Sequence, residues 1–109
     1  MPFTELSHLP SKEIVPGFEG RFIHTDHVTL AYWDIKSGSI LPEHSHVNEQ
    51  ISHILEGRFE LTIEGETQIV EAGKVAVIPA HANHSAKALT DCKALDVFYP
   101  ARDDYRSVG

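Results

Sequence analysis

LPEHSHVNEQISHILEG, residues 41–57, is the stretch that decides both the fold and the chemistry of this chain. It places His44 and His46 two positions apart, and it then becomes an apolar segment that closes on Gly57. Because side chains two apart on a β-strand point to the same face, we predict that both imidazoles are directed at one point. Gln50 comes four residues after His46, at the start of the next predicted strand, in a position to face them.

Short strands separated by glycine turns surround this stretch. RFELTIE, residues 58–64, alternates apolar and polar side chains, which predicts a half-buried strand. VTLAYWDIK, residues 28–36, is apolar on both faces, so we predict a strand that is covered on both sides. KSGSILPEH, residues 36–44, is interpreted as a connection. Since no segment shows a sustained helical period, the pattern predicts an all-β fold, an antiparallel sandwich or barrel.

The size and charge of the chain limit its partners. A length of 109 residues indicates one domain. We predict that residues 1–17, which contain three prolines, form an N-terminal arm and that residues 18–109 form the barrel domain. The formal net charge of −7 argues against nucleic acid or an anionic membrane as partner. Because the N-terminus has no long apolar run, we expect no secretion signal and no membrane span, and a cytoplasmic location.

A fourth ligand for the site must come from elsewhere in the chain. His84, which opens the strand after VAVIP, is the best candidate. Three imidazoles and the amide oxygen of Gln50 would hold one divalent transition metal ion, which could be nickel, zinc, manganese or iron. The alternative is that these histidines are surface residues on a polar loop.

Two motifs in the chain resemble those of the cupin superfamily, small double-sheet barrels of the jelly-roll type, also called double-stranded β-helices. The first motif is a Gly, five residues, H-x-H, an acidic ligand and a closing Gly, and the second is a Gly, five residues, a Pro and a His. The matching residues here are Gly38, His44, His46 and Gly57, and then Gly73, Pro79 and His84. The chain departs from the pattern at Gln50, where the ligand is usually Glu, and at the non-ligand positions His81 and Ala88.

A narrower resemblance joins HSHVNEQISHILEGRFELTIEGE to ALDVFYPARDDY. Together they look like the KdgF-type cupins of pectin and alginate breakdown. That resemblance implies a homodimeric, metal-dependent enzyme that opens the ring of 4,5-unsaturated uronic acids to give the linear 5-keto sugar acid. It also implies roles for three residues near the C-terminus: Asp96 as general acid/base, Phe98 at the substrate, and Arg102 on the uronate carboxylate.

The residues themselves leave alternatives open. Asp96 and Phe98 share a face with Ala94, and that face lines a cavity or is exposed at a sheet edge. Arg102 suits a carboxylate through its forked geometry, but it could instead pair with Asp103 or Asp104 in a solvated tail. The competing functions are a cupin dioxygenase and a non-catalytic metal- or sugar-binding module. The neutral Gln50 weighs against oxygen chemistry, and Asp96 weighs against a binding module.

Overall fold

Two facing β-sheets make up the fold, and their strands contain more than half of the residues of the chain. The computed structural model describes residues 2–106, and within them ten strands are present. The strands are β1 (Lys12–Val15), β2 (Phe18–His24), β3 (Thr29–Ile35), β4 (Ile40–His44), β5 (Glu49–Glu56), β6 (Arg58–Ile63), β7 (Glu66–Glu71), β8 (Val75–Ile78), β9 (His84–Ala88) and β10 (Cys92–Tyr99). A 3-10 turn at Leu6–His8 precedes them, and a short helix α1 (Asp103–Arg106) follows them.

The strand order brings distant parts of the chain together. The large sheet has the order β1-β2-β3-β10-β5-β8, and the small sheet has the order β4-β9-β6-β7. Every pairing is antiparallel, as short strands joined by tight turns require. The predicted all-β jelly-roll barrel is therefore confirmed. β10, the last strand, lies in the middle of the large sheet between β3 and β5, so the C-terminal motif is next to the histidine motif.

Two strands were not expected from the sequence. Residues 36–44 were interpreted as a connection, and this is wrong at its end, because Ile40–His44 forms β4. β4 is an edge strand that pairs only with β9, an environment that tolerates Pro42 inside a strand. The second is β1, which lies within the predicted arm and pairs with β2. The division of the chain into an arm and a domain at residue 17 remains a prediction.

β3 is covered on one face rather than on both. Thr29, Ala31 and Trp33 point between the sheets and are buried, as is Ile35. Leu30 and Tyr32 point outward from the large sheet and are only half-buried. The prediction of a strand covered on both sides is therefore wrong for the single chain, and residues 2–106 cover the apolar outer face only in part.

The core lies between the two sheets. Aromatic rings connect the sheets there, since Phe18 of the large sheet meets Phe59 of the small sheet with ring centroids 6.3 Å apart. Phe18 also packs edge-on against Trp33 at 6.2 Å, the arrangement that aromatic pairs prefer. This apolar contact joins the two sheets, and the three rings also line the cavity between them.

We expect Gly57→Ala to destabilise the protein far more than Gly65→Ala. Both glycines have positive φ, +91° and +83°, which costs other residues about 1–2 kcal/mol. At Gly57 an added Cβ would also collide with the carbonyl oxygen of Asp91, whereas at Gly65 no atom lies within 4 Å. Gly57→Ala should therefore lower the free energy of unfolding by at least about 2 kcal/mol in total, and by more than Gly65→Ala, which carries the backbone cost alone.

The measurement is the urea unfolding midpoint of both variants, taken without metal so that ligand binding does not contribute. Equal losses for the two variants would show that the contact with the 90–91 turn does not constrain Gly57.

Candidate functional site

Three histidines from two strands and a loop meet at the open end of the barrel. His44 ends β4 and pairs across the small sheet with His84, which begins β9. Their ring centroids are 4.1 Å apart, and the ring of His46 lies 4.9 Å from that of His84 and 5.7 Å from that of His44. One nitrogen from each ring lies within 4.8 Å of the others. The predicted convergence is correct, but the reason differs, because His46 is in the loop after β4 and not on a strand.

Main-chain carbonyls hold the Nδ1 atom of each of the three histidines by hydrogen bonds. Nδ1 of His44 lies 2.8 Å from the carbonyl of Pro42, Nδ1 of His46 lies 2.9 Å from that of Asn48, and Nδ1 of His84 lies 2.9 Å from that of Ala82. Because a carbonyl only accepts, each Nδ1 carries the proton and donates. The three Nε2 atoms therefore keep lone pairs, which is the form that binds a metal.

His84 provides the clearest sign that the site fits a cation. Its Nε2 is, among residues 2–106, the one buried side-chain nitrogen or oxygen without a hydrogen-bond partner. Burial lowers the pKa of His84 to about 4, and the nearby His44, His46 and Arg102 act in the same direction, so the ring is neutral near pH 7. Burial likewise lowers the pKa of His46, followed by the charge of Arg102. A buried lone pair without a donor is costly unless something positive meets it.

Gln50, the second residue of β5, completes the donor set. Its Oε1 lies 3.1 Å from Nε2 of His46, and its Nε2 donates to Oγ of Ser52 at 2.9 Å. With the proton of His46 on Nδ1, the first contact joins two acceptors, which a cation between them would resolve. The residues present thus fit a divalent metal ion. They do not identify it, since neutral nitrogen and oxygen ligands accept several transition metals.

Asp96 lies on β10 at the wall of the same cavity. It is half-buried, and its Oδ2 accepts a hydrogen bond from Nε1 of Trp33 at 3.0 Å. Burial raises the pKa of Asp96 to about 6, against the opposing effects of hydrogen bonds from Ser52, Trp33 and Gln50. With a pKa of about 6, the carboxyl group is mostly ionised at pH 7 but lies within about one pH unit of half-protonation, as groups that transfer protons often do. The cavity placement is the one predicted over exposure at an edge.

Arg102 lies over the cavity, and Phe98 is buried in its wall. The amide N–H of Arg102 donates to Oγ1 of Thr29 at 2.9 Å, which returns the chain over the barrel after β10. The guanidinium carbon lies 4.8 Å from the centre of the Phe98 ring, and that ring lies 5.7 Å from the ring of His46. Arg102 lines the cavity and also pairs with Asp104 at 2.7 Å, and its role toward a substrate carboxylate stays a prediction.

The seven site residues predicted from the sequence lie close together. Six line a single cavity, and the seventh, His84, packs directly against two of the six. The six are His44, His46, Gln50, Asp96, Phe98 and Arg102. Their individual roles stay predictions.

Sequence reasoning missed three further residues of the cavity: Trp33, Ser52 and Tyr105. Ser52 shares a face of β5 with Gln50, so the alternation of that strand could have indicated it. Trp33 was predicted only as part of a strand covered on both sides, and its bond to Asp96 spans 63 positions, a separation that no local pattern indicates. Tyr105 lies in a polar tail with no apolar pattern, yet its ring packs against Phe22 at 4.8 Å. No signal in the sequence indicates that contact.

Fold and site together define a small double-sheet barrel with a cluster of three histidines that can hold a metal ion. The family model described as Cupin domain matches residues 31–98, more than half of the chain. The chain therefore belongs to the cupin family, and the predicted resemblance is confirmed.

Individual relatives extend this result. The pectin degradation protein KdgF of Dickeya dadantii (strain 3937) is 28% identical over 99 residues, which are 88% of this chain and 90% of that protein. The H2HPP isomerase of Bacillus subtilis is 29% identical over 100 residues, and the chain spans 42% of its length. The structure of KdgF from Halomonas sp. matches with a TM-score of 0.89 at 29% identity, covering 95% of this chain and 97% of that one.

A solved RmlC-like cupin from Shewanella frigidimarina NCIMB 400 has a TM-score of 0.91 over 96% of both chains, and at 24% identity it supports the fold alone. The family relatives include enzymes, and the histidine cluster supports a bound metal ion in this chain. Within residues 2–106, no helix has the length and apolar character needed to cross a membrane.

Proposed function

We propose that this cupin opens the ring of 4,5-unsaturated uronic acids to give the linear 5-keto sugar acid. The observation that carries the proposal is that Asp96, a carboxyl group poised to hold or release a proton, shares one cavity with the neutral donors His44, His46 and Gln50. The likeness to two KdgF proteins supports a sugar acid as the substrate class.

The reaction converts one isomer into another, so no atoms are added. The bond between the hemiacetal carbon and the ring oxygen breaks, the hydroxyl on that carbon loses its proton, and C4 of the double bond gains one. A bound divalent ion, held by His44, His46, His84 and Gln50, would supply a Lewis acid that polarises substrate oxygens. Asp96 is the group that moves the proton, because it is the cavity carboxyl whose pKa lies near neutrality.

Three residues of the cavity position the substrate or the proton carrier in this proposal. Arg102 binds the uronate carboxylate through its N–H groups. The ring of Phe98 forms the wall between Arg102 and His46. The indole N–H of Trp33 holds the Asp96 carboxyl in one orientation, which favours proton transfer in a fixed direction.

The donor set weighs against the two competing functions. A dioxygenase of the facial-triad type has two histidines and a carboxylate on the metal, whereas the group beside His46 here is the amide of Gln50. A module that only binds metal or sugar does not require a carboxyl held inside the cavity, where burial raises its pKa.

The deciding experiment supplies the products of pectin and alginate lyases to the metal-loaded protein. Loss of the ultraviolet absorbance of the double bond, with no uptake in an oxygen electrode, is the expected result. Oxygen uptake would favour a dioxygenase, and stable absorbance with tight uronate binding would favour a binding module. Elemental analysis of the same sample identifies the metal.

A cytoplasmic location remains a prediction.

The homodimer predicted for this chain has a natural interface on the outer face of the large sheet. The strand registers align five apolar residues across five neighbouring strands on that face: Ile23, Leu30, Val97, Ile51 and Val77. Ile51 and Val77 are 43% and 64% exposed, and none of the five carries a charge. A small chain has little core, and pairing two such faces would bury this surface.

We expect Val77→Glu to convert a dimer into a monomer of about 12.1 kDa in analytical ultracentrifugation. The charge would be placed at the β8 end of the apolar row, within the surface that the partner would cover. Ile40→Glu is the matched control, because Ile40 is similarly exposed, at 59%, but lies on β4 of the small sheet. A dimer that persists in Val77→Glu, or dissociates in Ile40→Glu, would contradict this interface.

A further inference from the structure

Asp104 grips the guanidinium group of Arg102 along one edge. Nε of Arg102 donates to Oδ1 of Asp104 at 2.9 Å, and Nη2 donates to Oδ2 at 2.7 Å. This is the parallel two-bond arrangement that gives arginine–carboxylate pairs their directional strength. The Arg102 side chain is 12% exposed and that of Asp104 is 60% exposed, so the carboxylate holds the guanidinium from the solvent side.

Aromatic rings fix the remaining freedom of the guanidinium group. The guanidinium carbon lies 4.0 Å from the centre of the Tyr105 ring and 4.8 Å from that of Phe98. Tyr105 itself is anchored against Phe22 at 4.8 Å and Phe98 at 5.8 Å. Arg102 is thus held by stacking as well as by hydrogen bonds, which is more restraint than a solvated tail residue has.

Asp104 either competes with a substrate for the N–H donors of Arg102 or holds Arg102 in place for it. The edge of the guanidinium group that Asp104 binds distinguishes these two roles. If Asp104 occupied the donors that a substrate needs, it would compete with the substrate carboxylate. A guanidinium group has five N–H donors, and Asp104 engages one on Nε and one on Nη2. The edge formed by Nη1 and Nη2 is not the edge that Asp104 grips, so a substrate carboxylate does not have to displace it.

We propose that Asp104 is a positioning residue, which fixes the Nε–Nη2 edge of Arg102 so that the other edge is presented to the carboxylate of the substrate. The inference rests on the proposed function for the identity of that carboxylate. The restraint on Arg102 itself does not depend on it.

The kinetic test compares three variants of the metal-loaded enzyme with an unsaturated uronate as substrate. Asp104→Asn should raise KM by about three- to tenfold and change kcat by less than about twofold, since a partly exposed charge-assisted pair is lost. Asp104→Glu, which keeps a carboxylate, should recover most of the loss. Asp103→Asn is the matched control, because Asp103 is also in the first turn of α1 but pairs with Arg106. It should leave KM unchanged.

The second readout needs neither substrate nor metal. In 15N-labelled metal-free protein, the Nε–H signal of Arg102 is assigned by its loss in Arg102→Lys, among the four arginines of the chain. A held Nε–H exchanges slowly with water, and we expect Asp104→Asn to accelerate that exchange at least about tenfold while Asp103→Asn leaves it unchanged.

The outcomes separate cleanly. A fall in KM in Asp104→Asn would establish competition and overturn the positioning role, as would unchanged Nε–H exchange. If the wild-type protein does not turn over the uronate, the proposed function fails, and the exchange measurement still decides whether Asp104 holds Arg102.

Discussion

Asp96→Asn is expected to lower the turnover of an unsaturated uronate by about 10²–10⁴-fold, which is the range that general acid/base catalysis contributes. Asparagine has nearly the same shape and can still accept the hydrogen bond that Trp33 donates to Asp96 at 3.0 Å. It cannot gain or lose a proton, so the substitution removes the chemical step that we assign to Asp96. The loss should appear in kcat, because the substrate carboxylate is assigned to Arg102.

The metal content distinguishes this loss from damage to the site. Asp96 is not one of the donors that converge with His44, His46 and His84. Asp96→Asn should therefore bind one metal ion per chain, as the wild type should, by elemental analysis. Asp26→Asn serves as the control, because Asp26 is an exposed carboxylate in the loop between β2 and β3. Full activity in Asp96→Asn would exclude Asp96 as the proton carrier and leave the proposed reaction without one.

The parts of the site that the sequence predicted are those that short motifs encode. His44, His46 and Gln50 lie within seven consecutive residues, and alternation along the chain relates Asp96 to Phe98. The match to two spaced motifs then related His84 to the first group. Each of these inferences uses only local geometry or a known spacing, and the structure brings the residues together accordingly.

The parts that were missed depend on contacts between distant residues. Trp33 reaches Asp96 only because β10 inserts beside β3, a pairing that no local pattern specifies. Tyr105 packs on the cavity because the chain turns back over the barrel after β10, where Asn48 binds the carbonyl of Pro100 at 2.6 Å. β4 was interpreted as a connection because Pro42 usually interrupts a strand, and its edge position removes that objection. Sequence therefore indicated the metal donors better than the residues that position the proton carrier.

His84→Ala is expected to abolish metal binding and to lower turnover by about 10³-fold or more. The imidazole is almost completely buried, at 2% exposure, and its Nε2 has no hydrogen-bond partner within residues 2–106. Alanine removes this lone pair and supplies no metal donor in its place. A Lewis acid contributes several kcal/mol to such a reaction, and each 1.36 kcal/mol is about tenfold in rate. The measurements are metal per chain after dialysis against a trace of the metal, and turnover of the unsaturated uronate.

A second test removes the ion from the unchanged chain. Treatment with a chelator should lower the turnover of the wild type to the level of His84→Ala, and added metal should restore the wild type alone. His27→Ala is the matched control, because His27 is an exposed histidine in the loop before β3. Because the three Nδ1 atoms already donate to carbonyls of Pro42, Asn48 and Ala82, the site is built to present lone pairs rather than protons. Stoichiometric metal in His84→Ala would contradict that argument, and full turnover after complete chelation would remove the metal from the reaction.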